Sequence, residues 1–169
     1  MKAKGYSIWL MPQGEIYRYL SEIIFRLSKK YNLPYFEPHV TLLGGIEGSE
    51  KEILQKTEEL ARIIAPHEIR LTEIDFLDEY FRALFVEADK IRKVMNANRE
   101  AQRMFGFNSD YMPHMSLVYG DIKKNVKKEM IDLLSRIDFS KISFDIKSLH
   151  LYLTEGEVKD WRKIKVFSF

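Results

Sequence analysis

A tetrad of alternating character occurs twice in this chain, each time behind a proline, and it constrains the architecture more than any other segment. Pro38 precedes His39-Val40-Thr41-Leu42, and Pro113 precedes His114-Met115-Ser116-Leu117. In an extended strand successive side chains leave on opposite faces. His39 and Thr41 therefore share one face and Val40 and Leu42 the other. The same holds for His114 and Ser116 against Met115 and Leu117. Each copy calls for a strand with one face on a cleft and the other in a core. The second histidine comes about 75 positions after the first, close to half of the 169-residue chain.

The segments around the tetrads repeat in kind. Tyr6 to Met11 reads as a strand stopped by Pro12, and Ile16, Leu20, Ile23, Ile24 and Leu27 recur at helical spacing. The first tetrad strand ends at Gly44-Gly45. Ser49 with Glu52 has the capping-box pattern before a second helix that Pro66 stops. Residues 68–87 read as a hairpin turning at Asp78-Glu79. Asp89 is the expected N-cap of a third helix, and Gly106 its stop. The second tetrad strand runs to Gly120. Val126, Met130, Leu133, Leu134 and Ile137 mark a fourth helix, and two strands, about 142–153 and 161–169, close the chain. The order predicts an α+β fold. It is bilobal, with two pseudo-symmetric lobes, each an antiparallel sheet with outer helices, and the sheets face across a central groove. No linker or low-complexity tract divides it, so residues 1–169 form a single domain.

Composition narrows the chemistry. The chain has no cysteine, which excludes disulfides, thiolate catalysis and cysteine-ligated zinc. Lysine and arginine number 27 and acidic residues 25, so net charge does not argue for nucleic acid. Lys123, Lys124, Lys127 and Lys128 form a local basic cluster whose plain reading is a solvated helix face. No apolar run approaches the roughly 20 residues of a membrane span. A cytoplasmic monomer is the expectation.

Two imidazoles across a cleft can divide proton transfer, one deprotonating a nucleophile and the other protonating a leaving oxygen. Thr41 and Ser116 can donate hydrogen bonds to non-bridging phosphate oxygens, where charge builds up. A strained cyclic phosphate diester suits this set, having a good leaving oxygen and no need of a metal or other cofactor. A metal site is the main rival. However, His67 and His150 are the only further histidines, and neither has a carboxylate at metal-motif spacing. A nucleophilic serine triad is weaker, since Ser116 sits on a strand rather than a Gly-x-Ser-x-Gly elbow.

With these motifs in hand, the chain resembles the two-histidine phosphoesterases, and within them the cyclic phosphodiesterase branch known from plants and fungi. The resemblance rests on Tyr6-Ser7-Ile8-Trp9, Pro38-His39-Val40-Thr41, the run Tyr111-Met112-Pro113-His114-Met115-Ser116-Leu117-Val118-Tyr119, and Trp161 opening the last strand. It implies a metal-independent hydrolase of 2′,3′-cyclic nucleotides or ADP-ribose 1″,2″-cyclic phosphate, the latter a by-product of tRNA splicing. His39 and His114 would be the catalytic pair, Thr41 and Ser116 the phosphate holders, and Trp9 and Tyr119 aromatic residues lining the site. His114 would serve as base and His39 as acid, an order the sequence does not fix. Related readings are an RNA-end-processing phosphodiesterase or ligase-like enzyme acting on oligonucleotides, and a non-catalytic module holding RNA ends.

Plain readings stand beside these. His67 is an ordinary surface or turn histidine, and His150 a structural one on the face opposite Leu149, Leu151 and Leu153. Trp9 and Tyr119 could be core aromatics, and Arg82 and Arg103 surface charges. Strict alternation from Ser116 points Tyr119 away from the hydroxyl face unless the strand ends or twists before it.

Overall fold

Helix ends follow local side-chain chemistry. The computed structural model describes residues 1–169. Helix α1 (Gly14–Tyr31) buries Leu20, Ile23, Ile24 and Leu27, and it ends at Asn32, which takes the left-handed conformation with φ 53°. Helix α2 (Glu50–Ile63) starts where the Ser49 hydroxyl accepts from the Glu52 amide at 3.3 Å. Helix α3 (Arg92–Phe105) stops at Gly106, whose φ of 75° a side chain would resist. It begins later than Asp89 suggested, with Ile91 as N-cap. Helix α4 spans Lys124–Leu134.

Eight strands, all paired antiparallel, make one sheet. In chain order they are β1 (Tyr6–Leu10), β2 (Val40–Ile46), β3 (His67–Asp75), β4 (Leu84–Ala88), β5 (His114–Val118), β6 (Ser143–Ile146), β7 (Ser148–Leu153) and β8 (Arg162–Ser168). Their order across the sheet is β6-β3-β4-β5-β2-β1-β7-β8. The two tetrad strands, β5 and β2, are thus the innermost neighbours. A four-stranded half lies on either side, and the halves meet at the Val40–Met115 pair. Helix α1 packs on β5 and α3 on β2, so each helix covers the tetrad strand of the opposite half. Beneath them Val40, Leu42, Met115 and Leu117 are all but fully buried, as alternation required.

The segment expected as one strand over 142–153 is two. β6 pairs with β3 at one edge, whereas β7 pairs with β1 and β8 near the other. Only Lys147 separates them. In a flat sheet their six spacings would amount to about 29 Å. Residues flanking a single position stand at most about 7 Å apart. The sheet therefore curls until its ends approach, and the Phe169 ring lies 6.4 Å from that of His67.

Three further departures bear on the site. β2 continues through Gly44 and Gly45 to Ile46, with irregular register against β1, and Gly45 takes φ 70° there. The hairpin turn is longer than Asp78-Glu79: a 3-10 turn, Tyr80–Arg82, precedes β4 and holds Phe81 off the strand. Finally, Lys127 is not solvated. It is 2% exposed, its Nζ donating to the Leu77 carbonyl at 2.6 Å and to Asp78 at 2.9 Å, which ties α4 to that turn. Of the apolar residues that mark α4, Met130 and Leu134 are buried, whereas Leu133 is exposed. No helix is long and apolar enough to cross a membrane.

Candidate active site

The Val40–Met115 pairing sets the geometry. In an antiparallel pair, one step either way places His39 opposite Ser116 and Thr41 opposite His114, and opposed residues share a face. Each histidine of one tetrad thus meets the hydroxyl residue of the other across a local two-fold axis. All four line one cavity of about 330 Å³, together with Trp9, Tyr119, Phe81, Arg82 and Trp161.

Both imidazoles are held in the same way. The Nδ1 of His39 lies 2.6 Å from the Glu37 carbonyl, and the Nδ1 of His114 lies 2.8 Å from the Met112 carbonyl. A carbonyl only accepts, so Nδ1 carries the hydrogen in each ring and Nε2 presents a lone pair when the ring is neutral. The proline between carbonyl and histidine has a fixed φ and biases the preceding residue to extended backbone, which points that carbonyl back at the ring. His67, after Pro66, shows the same contact to the Ala65 carbonyl at 2.9 Å. The Pro-His pair is therefore a local orienting device, and only two of its three copies face the cavity. His67 is buried rather than on the surface.

The walls differ. His39 is 4% exposed and lies flat on Trp9, with ring centroids 3.6 Å apart and planes 8° from parallel. Trp9 rests in turn on Tyr152 at 3.8 Å and donates from Nε1 to the Ser7 hydroxyl at 2.8 Å. The Tyr119 hydroxyl lies 3.4 Å from His39 Nε2. β5 ends at Val118, so alternation stops before Tyr119 and its ring turns into the cavity, stacked on Phe36 at 3.8 Å. His114 is only half-buried, with Phe85 edge-on at 5.2 Å. Ser116 donates to the Phe81 carbonyl at 2.9 Å. The Tyr111 hydroxyl donates to the Thr41 carbonyl at 3.0 Å, tying the loop before one tetrad to the backbone of the other.

Burial pushes His39 down from its ordinary value to about 4, with the neighbouring His114 adding to the effect and the Glu37 contacts opposing it. Burial also lowers His114. The Met112 carbonyl opposes that shift and the Arg82 guanidinium adds to it. Tyr119 is raised by burial. Both imidazoles are thus neutral bases near pH 7 in the free protein, and an anion between them would favour protonation of either. Such a pair can pass a proton in and another out at one bound group.

All six residues singled out in the sequence line the cavity. Arg82, read as a surface charge, lines it too, whereas Arg103 is exposed and paired with Glu100. His150 lies beside Trp9 in the β1–β7 register, off the cavity lining, with Nε2 3.1 Å from the Ser148 hydroxyl. Reading the sequence missed Phe81, Trp161, Glu37 and Tyr152. Trp161 precedes β8 rather than opening it, and for Tyr152 the alternation with His150 on β7 is the available signal. No group of three His, Asp or Glu side chains comes together to hold a metal.

A family model described as cyclic phosphodiesterase-like protein matches residues 4–169. The chain is 25% identical to the cyclic phosphodiesterase of Arabidopsis thaliana, covering 98% of this chain and 96% of that protein. It is 29% identical to a 2′,3′-cyclic-nucleotide 3′-phosphodiesterase of Kluyveromyces lactis, covering 93% and 86% respectively. In fold it is similar to a Thermus thermophilus protein, with a TM-score of 0.69 at 17% identity and 97% coverage of both chains. It is also similar to Escherichia coli LigT solved with 3′-AMP, with a TM-score of 0.67 at 12% identity and 99% coverage of both.

Proposed function

This chain belongs to the cyclic phosphodiesterase-like protein family, and from that membership we propose that residues 1–169 act as one metal-independent phosphodiesterase domain. It opens 2′,3′-cyclic nucleotides, or ADP-ribose 1″,2″-cyclic phosphate, to phosphomonoesters. The observation that carries this reading is the crossed register, which sets His39 against Ser116 and Thr41 against His114 around one cavity. Its volume of about 330 Å³ falls in the range of small-molecule sites. Half-buried Phe81 and Trp161 on its wall offer apolar surface to a nucleobase.

In the proposed reaction the phosphorus sits near the two-fold axis. Nε2 of one histidine takes a proton from water, and the oxygen so activated attacks phosphorus. The ring P–O bond opposite breaks, and the second histidine, protonated at Nε2, gives its proton to the departing ribose oxygen. Thr41 and Ser116 donate to the non-bridging oxygens. Ser116 must first turn its hydroxyl away from the Phe81 carbonyl. We assign the base role to His114 and the acid role to His39. From nucleoside cyclic phosphates the expected product is the 2′-phosphate.

Product analysis on 2′,3′-cyclic nucleotides in the presence of a chelator tests this. Turnover should persist, and His39→Ala and His114→Ala should each lose roughly 10²–10⁴-fold. Near-wild-type turnover in either variant would sink the mechanism. Parallel assays on ADP-ribose cyclic phosphate and on cyclic-ended oligonucleotides decide the substrate, and a strong preference for the oligonucleotide would transfer the reading to RNA ends. Binding with steep salt dependence and no product would instead mark a holding module.

A further inference from the structure

We propose that Glu37 is a positioning residue for His39, acting through its backbone and its carboxylate at once. The contacts close into a ring of four residues. His39 Nδ1–H donates to the Glu37 carbonyl at 2.6 Å. The Tyr152 hydroxyl donates to Glu37 Oε2 at 2.5 Å. The Tyr152 ring stacks on Trp9 at 3.8 Å, and Trp9 stacks on His39 at 3.6 Å. One residue thereby fixes the tautomer of the imidazole and anchors the aromatic clamp on its face. This inference rests on the proposed two-histidine chemistry.

Glu37 is held too firmly for an ordinary surface acid. Its side chain is 32% exposed, and besides Tyr152 it accepts from the Tyr17 hydroxyl at 2.8 Å. Lys163 lies 3.9 Å away. Burial alone would push the carboxyl up, but the two phenols, Lys163 and His39 outweigh it, so Glu37 stays charged through the neutral range. Its negative charge favours the imidazolium form of His39, and that link runs both ways. The other ionisable groups around this pair are His114 on β5, Tyr119 just beyond it, Tyr152 and His150 on β7, Lys163 on β8 and Tyr17 on α1. None of these is a carboxylate, so Glu37 is the one negative charge in this group at neutral pH. The residue whose carbonyl holds the second imidazole, Met112, carries no charge; at His114 the Arg82 guanidinium favours the neutral form, while the Glu79 and Glu87 carboxylates oppose it.

Two variants separate charge from anchoring. Glu37→Gln keeps the shape and the backbone carbonyl and removes the charge. Glu37→Ala removes the anchor of Tyr152 as well. Both should lower kcat, Glu37→Ala by about ten- to a hundredfold with KM within about twofold, since a misplaced group costs turnover more than binding. In Glu37→Gln the His39 ring, followed by NMR, should titrate at lower pH than in the wild type. The limb of the kcat/KM profile that belongs to His39 should move down with it. Unchanged kcat in both variants, or an unmoved His39 titration in Glu37→Gln, overturns the proposal. The NMR readout needs no turnover. A protein without phosphodiesterase activity whose His39 titration still shifts would therefore overturn the hydrolysis reading while supporting this one.

Discussion

Folding should weaken sharply between pH 7 and pH 5, and His39 should account for a definable share. Its ring is 4% exposed, roofed by Trp9 and held neutral, with its value pushed down to about 4 from an ordinary 6.5. In the unfolded chain the same ring takes a proton as pH falls through 6.5. In the folded protein it refuses one until about pH 4. The unfolded state therefore binds more protons across this window, and stability falls as pH falls. With these two values, His39 alone should cost about 2 kcal/mol between pH 7 and pH 5, and about 3 kcal/mol once both states are protonated. His114, His67 and His150 are also lowered, each chiefly by burial, and add in the same direction. The difference between wild type and His39→Gln isolates the one ring, because glutamine does not titrate. Urea unfolding at the two pH values gives both losses. The variant should lose about 2 kcal/mol less than the wild type over that interval. Equal losses in the two proteins would refute the claim that the clamp excludes the charged imidazole.

Ser116→Ala should cut kcat/KM by roughly a hundredfold, while urea melts show a loss of about 1 kcal/mol, since only the bond to the Phe81 carbonyl goes with it. Tyr111→Phe should cost about 1 kcal/mol in the same melts by releasing the Thr41 carbonyl. Lys127→Ala should destabilise by about 3 kcal/mol, because it leaves the Leu77 carbonyl without its donor and opens a void under the turn that carries Phe81 and Arg82. His67→Gln should leave turnover at the wild-type level while lowering the melting temperature, since His67 shares the Pro-His geometry but stands outside the cavity.

Much of this was legible in the sequence because two periodicities carried it. Alternation placed His39, Thr41, His114 and Ser116 on one face and their apolar neighbours in the core, and the structure keeps that division. Ser49 and Gly106 marked helix ends that the structure retains. What stayed hidden depends on contacts distant in sequence. Nothing local shows that Lys147 divides one apolar run between opposite ends of a curled sheet. Lys127 looks like its lysine neighbours until a loop some 50 residues away in sequence supplies its acceptors. Glu37 reads as a loop acid, and its partners Tyr17 and Tyr152 arrive from a helix and a strand at opposite ends of the chain.

The local two-fold axis through Val40 and Met115 has a consequence for how such a site can diversify. Two halves related by a dyad offer an incoming phosphate the same imidazole and the same hydroxyl from either side, so the four motif residues carry no sense of direction. Which ring oxygen departs, and from which flank water enters, must be decided by the unlike surroundings: indole, phenols and Glu37 behind one imidazole, Phe85 and Arg82 beside the other. Regiochemistry is then a property of the frame rather than of the motifs. Substitutions in that frame could exchange a 2′-phosphate product for a 3′-phosphate while both tetrads stayed untouched.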